Sequence, residues 1–191
     1  MKNKIYILLL LIILSHLAKA ERPKFLDFES GIFYSYNFAN DRFPNGSNNN
    51  GLAITLRPKY TVDKLMSFAI ETGFIQLSSN NYSTSDENYK NEKYQLYKFS
   101  IPLVADASYK IQNFTIFGGA GVHLVNSVIK SNDTQNGSSY FNLAYNMGFS
   151  YDILQYKKAN IVFESKLHYL NDQETWIINA GVVVRFGLLT F

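Results

Sequence analysis

The chain has 191 residues, of which 17% are charged, and a formal net charge of +3. It contains no cysteine, which excludes disulfides and thiolate metal sites. Three of its 18 basic residues, Lys2, Lys4 and Lys19, lie in the first 20 positions, and the remaining 15 balance 15 acidic residues. Because nucleic-acid binding requires a basic face, this neutral remainder argues against nucleic acid as a partner.

The first 20 residues have the pattern of a cleaved signal peptide. Two lysines give a basic start, an apolar run covers residues 5–14, and an Ala-Lys-Ala sequence ends at residue 20. The alternative is a retained membrane anchor, but the apolar run is shorter than the roughly 20 residues of a spanning helix. We therefore predict that residues 1–20 are removed after export and that residues 21–191 form one domain.

The rest of the chain contains eight segments in which apolar and polar residues alternate with a period of two, the pattern of a β-strand. In chain order they are residues 28–38, 51–60, 67–77, the two strands of a hairpin at 97–124, and residues 140–153, 159–170 and 176–186. Segments of about 10 to 13 residues match transmembrane strands, which need about 9–11 residues, better than soluble strands of about 5–6.

The connections between these segments alternate in length. Long polar stretches are predicted at residues 39–50, 78–93 and 127–139, and short connections at 61–66, 110–112 and 154–158. Outer-membrane barrels have short periplasmic turns and longer extracellular loops. The alternation therefore favours such a barrel, with the short connections on the periplasmic side.

The two faces of each predicted strand differ in character. In segment 140–153, every second residue from Phe141 to Tyr151 is large and mostly apolar, and the residues between are small or polar. The interior of an eight-stranded barrel is only wide enough for side chains to fill, so we expect the large face to contact outer-membrane lipid. A soluble lipocalin-like barrel, the main alternative, requires an apolar interior instead. We predict an all-β fold, an eight-stranded antiparallel up-and-down transmembrane β-barrel, in the outer membrane of a Gram-negative cell.

Nine charged residues fall on the inward face of the predicted strands, and they are Glu29, Arg57, Glu71, Lys98, Asp106, Asp152, Glu164, Lys166 and Arg185. The residues expected to form a polar network in the lumen are Glu71, Lys98, Glu164, Lys166 and Arg185, with His123 on the same face. An unpaired buried charge costs several kcal/mol, so we expect these residues to form salt bridges that fill the barrel. The alternative is that they line a gated ion path.

Patterns that would indicate catalysis or cofactor binding are weak in this sequence. His123 and His168 have no short, regular spacing to carboxylates, which argues against a metal site. The glycine-rich residues 118–121 lie inside a predicted strand, where glycine permits close packing. The sequence therefore predicts no catalytic, metal-binding or cofactor-binding residues, and a protein that is not an enzyme.

Residues 25–186 resemble the small outer-membrane barrel domains related to OmpX and the OmpA barrel. The hairpin at 97–124 has Ile101-Pro102-Leu103 before its turn and Phe117-Gly118-Gly119-Ala120-Gly121-Val122 after it, and this pair of sequences is similar to the PorT-like outer-membrane family. That resemblance implies an accessory role in a protein export system. It implies no catalytic positions.

The end of the chain is expected to carry the signal for assembly. Outer-membrane barrels usually finish on an aromatic residue, so we predict that the barrel assembly machinery reads Phe191. Phe186 is the alternative, and it lies five residues earlier, on the opposite face of a regular strand.

These features support three hypotheses about function. The leading one is a monomeric, non-enzymatic barrel with an envelope-structural role, or with a surface-contact role in which the extracellular loops bind a protein partner. The first alternative is the PorT-like accessory component of an export system. The second is a narrow channel, which a lumen filled with side chains disfavours.

Overall fold

The computed structural model describes residues 25–38, 49–63, 65–84, 92–131, 134–156 and 159–190. The predicted signal peptide at residues 1–20 and the predicted assembly signal Phe191 lie outside the described residues. Within the described ranges, no helix has both the length and the apolar character needed to cross a membrane.

The described residues form eight β-strands. Their bounds are Phe25–Asn37 (β1), Asn50–Thr61 (β2), Met66–Thr84 (β3), Glu92–Ile111 (β4), Phe114–Lys130 (β5), Gln135–Tyr156 (β6), Ala159–Leu170 (β7) and Thr175–Thr190 (β8), with a 3₁₀ turn at Asn171–Gln173. Each strand pairs with the next, and β8 pairs antiparallel with β1. This closed ring confirms the predicted eight-stranded antiparallel barrel.

The closure between β1 and β8 runs along the whole of β1. Its register places Glu29 opposite Arg185 and Tyr34 opposite Ala180. In lipid, every backbone polar group needs a partner within the protein, and a closed ring satisfies this requirement because the barrel wall has no free edge.

The strand alternation places large apolar side chains on the outside of the ring. On β6, Phe141 is 70% exposed and Met147 is 63% exposed, whereas Asn142 and Asn146 on the other face are buried. The outward residues follow the pattern that the sequence indicates. They form the apolar belt that a membrane barrel presents to lipid.

Several strands continue beyond the bounds predicted from the sequence. β3 reaches Thr84, β4 begins at Glu92, β5 ends at Lys130 and β6 begins at Gln135. The predicted loops at 78–93 and 127–139 were therefore wrong in part, because much of each is strand. The prediction depended on hydrophobic alternation, which stops where one face no longer contacts lipid, although backbone pairing continues.

Candidate functional site in the barrel lumen

Inward side chains near the short-turn end of the barrel form ion pairs centred on Glu29. This residue lies opposite Arg57 on β2 and Arg185 on β8, so closure of the ring brings two guanidinium groups to one carboxylate. Arg57 Nε donates to Glu29 Oε2 at 2.6 Å, and Arg185 Nε donates to Oε1 at 2.6 Å. Lys59 Nζ lies 3.3 Å from the same Oε1. Three cations thus offset the desolvation of a fully buried carboxylate.

Arg57 extends these ion pairs into the middle of the lumen. Its Nη2 donates to Glu164 on β7, and its Nη1 lies 3.6 Å from Oε2 of Glu71 on β3. Lys166 Nζ lies 2.5 Å from Glu71 Oε2 and 3.4 Å from Glu164 Oε1. Two carboxylates on different strands, Glu71 and Glu164, therefore share the two central cations.

Asp152 connects this centre to the short-turn end. Its Oδ1 lies 3.3 Å from Arg185 Nη1, and its Oδ2 accepts from Lys110 Nζ at 2.5 Å. We call the whole set the lumen ion-pair network, and its members are Glu29, Arg57, Lys59, Glu71, Lys110, Asp152, Glu164, Lys166 and Arg185. Removing one member of such a connected set leaves other charges buried without a partner.

The structure brings together four of the residues singled out from the sequence. Glu71, Glu164, Lys166 and Arg185 all belong to the lumen ion-pair network. Lys98 is also buried, but it lies towards the other end of the barrel, opposite Ser78 and Ser127 in register, where it makes an interaction of its own.

His123 lies on the inward face beside a second histidine. Its Nδ1 is 3.2 Å from Ser100 Oγ, and its ring centroid is 5.3 Å from that of His168. His168 Nε2 in turn is 3.8 Å from Glu71 Oε1, so the histidine pair borders the network. Within the described part of the chain, no group of three or more His, Cys, Asp or Glu side chains is placed to hold a metal ion.

Sequence reasoning missed two cations of the network. Lys59 lies on the inward face two residues after Arg57, and this spacing was a usable signal. Lys110 was assigned to the predicted turn, although β4 continues to Ile111 and its side chain reaches Asp152.

The lumen also has an apolar part that the sequence did not indicate. Phe33 is 1% exposed, and its ring lies beneath the Lys166 ammonium, 4.5 Å from Nζ. Gly31 provides the room, since a Cβ there would lie 2.5 Å from the Phe33 ring. The buried apolar cluster consists of Phe33, Ala53, Ile75, Leu77, Val125, Ala144, Val162, Leu170, Ile177 and Val183. These residues fill part of the lumen beside the small and polar residues that were predicted to face inward.

At the end opposite the short turns, four strands continue past the closed ring. β3 pairs with β2 only as far as Ile75 but with β4 as far as Thr84. β6 pairs with β7 only from Ala144, but with β5 from Gln135. We call this four-stranded sheet the extension, and it consists of residues 76–84, 92–99, 125–130 and 135–143.

The extension has two outer edges, residues 76–84 of β3 and 135–143 of β6. Among the described strands, neither edge is paired on its outer side. Proteins usually protect such edges with charged residues or proline. These two edges contain neither residue type. On β3 the edge begins covered, because Leu77 and Ser78 are buried and Asn37 Nδ2 donates to the Leu77 carbonyl at 3.4 Å. On β6 the residues from Gln135 to Ser139 are exposed, so this edge is the one that a further strand can reach.

Comparisons with known proteins agree with this architecture. The family model for the outer membrane protein beta-barrel domain matches residues 6–186. A comparison with curated protein sequences finds no significant match.

Solved structures with the same fold are distant in sequence. The crystal structure of Ail, the attachment invasion locus protein of Yersinia pestis, in complex with the heparin analogue sucrose octasulfate, matches with 16% identity and a TM-score of 0.59, covering 86% of this chain and 99% of that one. A major outer membrane protein from Thermus thermophilus matches with 11% identity and a TM-score of 0.58, covering 86% of this chain and 99% of that one.

Proposed function

The chain belongs to the family of outer-membrane proteins with a β-barrel domain, and from this membership we propose that it is a non-enzymatic surface protein whose extension binds protein partners outside the cell. The open, uncharged β6 edge of the extension carries this proposal. Residues 1–20 act as the export signal, Phe191 is read by the assembly machinery, and the barrel is a monomer in outer-membrane lipid.

The lengths of the connections support an extracellular position for the extension. One end of the barrel has short connections, such as Gln112–Asn113 between β4 and β5, and the extension lies at the other end. Barrels of this type have short turns in the periplasm and longer segments outside. The accessible edge therefore faces the medium, where a partner can reach it.

Strand addition is the form of binding that suits this edge. An extended segment of a partner pairs its backbone with an open edge, and side chains at alternate positions give specificity. On β6 the edge side chains from Gln135 to Ser139 are small or polar and exposed, so they do not obstruct an approaching strand. The β6 edge is therefore the binding surface in this proposal.

The filled lumen argues against a channel as the main role. The lumen ion-pair network crosses the interior from β2 and β3 to β7, and Phe33 with its apolar neighbours fills the adjacent space. A hydrated ion needs a continuous aqueous passage, and side chains fill the interior of an eight-stranded barrel.

The proposal is tested with cells of a non-adherent strain that display the barrel. Adhesion to protein-coated surfaces is compared for the wild type and for a variant that carries Asn136→Lys and Ser138→Lys, because lysine on an edge discourages strand pairing. We expect the wild type to adhere and the edge variant to lose adhesion. The matched control is Thr134→Lys, which adds charge in the connection before β6 and not on the paired edge.

Two results would contradict the proposal. Equal adhesion of the wild type and the edge variant would show that the β6 edge does not bind. A deletion strain that lost exported surface proteins, with adhesion unchanged, would favour the accessory export role instead.

A further inference from the structure

A row of buried polar side chains crosses the lumen, and its charged neighbour is Glu71, whose Oε1 lies 3.8 Å from His168 Nε2. Asp106 on β4 lies opposite Gly119 on β5, which lies opposite Asn146 on β6, which lies opposite His168 on β7. Asp106, Asn146 and His168 are 5%, 6% and 0% exposed. Among the described residues, neither carboxylate oxygen of Asp106, neither amide atom of Asn146 and neither ring nitrogen of His168 has a hydrogen-bond partner.

Gly119 leaves a gap in the middle of this row. A Cβ on Gly119 would lie between Asp106 Oδ1 and Asn146 Oδ1, 2.9 Å from the Asn146 atom and closer still to the Asp106 atom. The two oxygens thus point into the space that a side chain would fill. The amide of Asn146 can turn its NH2 group towards Asp106 and donate to it directly, and a water in the gap can bridge the same two groups.

A small cavity extends the gap towards the short-turn end. It has a volume of about 10 Å³, and Asp106, Ser108, Thr115 and Ser150 contribute oxygen atoms to its lining, together with Arg57 and Lys59. This volume is close to that of a single water-sized probe, about 10–15 Å³. Ser108 is half-buried, and its Oγ lies 3.1 Å from Oγ of Ser67 on β3. These two hydroxyl groups continue the polar lining of the cavity to the short-turn end.

The histidine pair continues the row in the other direction. The ring of His123 lies next to that of His168, and Nε2 of His123 has no partner among the described residues. His123 is opposite Asn142 in register. Asn142 Oδ1 accepts from the backbone N–H of Asp172, at 3.1 Å, in the exposed connection between β7 and β8. The polar row therefore reaches the extracellular end of the barrel.

We propose that this row, from Asp172 through the histidine pair and Asn146 to Asp106, holds a file of internal waters that conducts protons and excludes metal ions. Side chains directly opposite on neighbouring strands have Cβ atoms about 4.5–5.5 Å apart, which one bridging water can span. Imidazole accepts a proton on one ring nitrogen and releases one from the other. Each transfer leaves the histidine neutral but in its other tautomer, and a ring flip or proton exchange with a bound water restores the first tautomer before the next transfer.

The charged groups around the row determine which ions can move along it. The charged groups nearest the histidines are Glu71 from β3, Lys166 from β7 and Arg57 from β2, with Asp106 at the far end of the row on β4. Glu71 and Lys166 form a pair with each other, so they add little net field. A metal ion that loses its water shell pays a desolvation cost, and a single-file row with one carboxylate, that of Asp106, does not repay it. A proton moving between bound waters avoids that cost.

Proton flux into vesicles tests the proposal. The purified barrel is reconstituted into vesicles that contain a pH-sensitive dye, and a potassium gradient with valinomycin drives proton entry. We expect the rate for the wild type to exceed that of protein-free vesicles several-fold. The double variant Asn146→Leu with His168→Phe should return it to background. Ser35→Ala, which removes a buried hydroxyl on β1 outside the row, should leave the rate unchanged.

Folding of each variant is checked by the change in gel mobility on boiling. If a double variant does not fold, the single change Asn146→Leu takes its place, and a lowered rate is again expected. A wild-type rate equal to that of empty vesicles would overturn the proposal. A sodium flux as large as the proton flux would also overturn it, as would a folded Asn146→Leu variant with the wild-type rate.

Discussion

Arg57 donates from Nε to Oε2 of Glu29 at 2.6 Å, and the two residues lie directly opposite each other on β1 and β2. Both side chains are buried, and each has further ion-pair partners. Glu29 also holds Arg185 and Lys59, and Arg57 also contacts Glu164 and Glu71. The pair therefore links cations and carboxylates from opposite sides of the lumen, and the stability of the barrel should depend strongly on it.

Removing the guanidinium of Arg57 should destabilise the barrel more than removing a surface charge. Arg57→Ala leaves three carboxylates without their shared cation, and breaking a buried ion pair costs about 3–5 kcal/mol. The measurement is urea unfolding of the barrel in vesicles, followed by the fluorescence of Trp176, the only tryptophan. Lys130→Ala is the control: Lys130 is exposed and lies 5.9 Å above the Tyr97 ring, so its loss should cost no more than about 1 kcal/mol. Equal losses for the two variants would contradict a structural role for the network.

The pair of Lys166 and Glu71 should show strong energetic coupling. Lys166→Met leaves a buried carboxylate with one cation fewer, and Glu71→Gln leaves an ammonium with one anion fewer. Residues in one ion-pair network typically couple by about 0.5–3 kcal/mol. The double variant should therefore be more stable than the sum of the single losses implies, as measured by the same urea titration. Additive losses would mean that the 2.5 Å contact contributes no coupling of its own.

The lumen should carry almost no steady current of sodium, potassium or chloride ions. Ion pairs and the apolar cluster fill the interior, so the purified barrel in a planar bilayer should show a conductance close to that of the bare membrane. The wild type is compared with Phe33→Ala, which removes the largest fully buried side chain of the described residues. If the Phe33 ring blocks a current, the conductance of this variant should be higher. Large, regular openings of the wild-type barrel would contradict the filled lumen.

The sequence predicted which side chains of each strand face outward and which face inward, because this assignment depends only on the alternation of residues with a period of two. Alternation along β6 is unbroken from Phe141 to Tyr151, so each side chain could be assigned to a face before the fold was known. Contacts across the lumen are different, because they depend on register and closure. Arg57 and Glu164 are 107 positions apart, and Arg185 and Glu29 are 156 apart. No local pattern indicates which inward charges meet.

Two features of the structure were not predicted, the apolar part of the lumen and the length of the strands in the extension. Phe33 lies between the outward Ile32 and Tyr34, so the period of two places its side chain inward, and the missing Cβ of Gly31 leaves room for the ring. The strands of the extension carry polar residues on both faces, so hydrophobic alternation disappears there although the backbone stays paired from Gln135 onwards. Hydrophobic alternation therefore marks only the part of each strand that contacts lipid, and the strand itself is longer.

The boundary between the lipid-facing belt and the extension leads to a last prediction. Met147 lies at the middle of β6, opposite Gly118 and Leu167, and Ile129 lies near the end of β5 in the extension. Both side chains are exposed and apolar, but only Met147 should contact the hydrocarbon core. Arginine at the middle of a bilayer costs a barrel about 2–4 kcal/mol, so Met147→Arg should lower the unfolding free energy by about that amount.

Ile129→Arg makes the same chemical change outside the membrane, and it should alter the unfolding free energy by less than about 1 kcal/mol, the range for positions near the interface. Unfolding in vesicles distinguishes the two positions. In a detergent that does not reproduce the thickness of a bilayer, the difference between the two variants should shrink. A large loss for Ile129→Arg in vesicles would place the extension within the membrane. Its open edges would then contact lipid, which tolerates no unpaired backbone, and binding by strand addition would have to be abandoned.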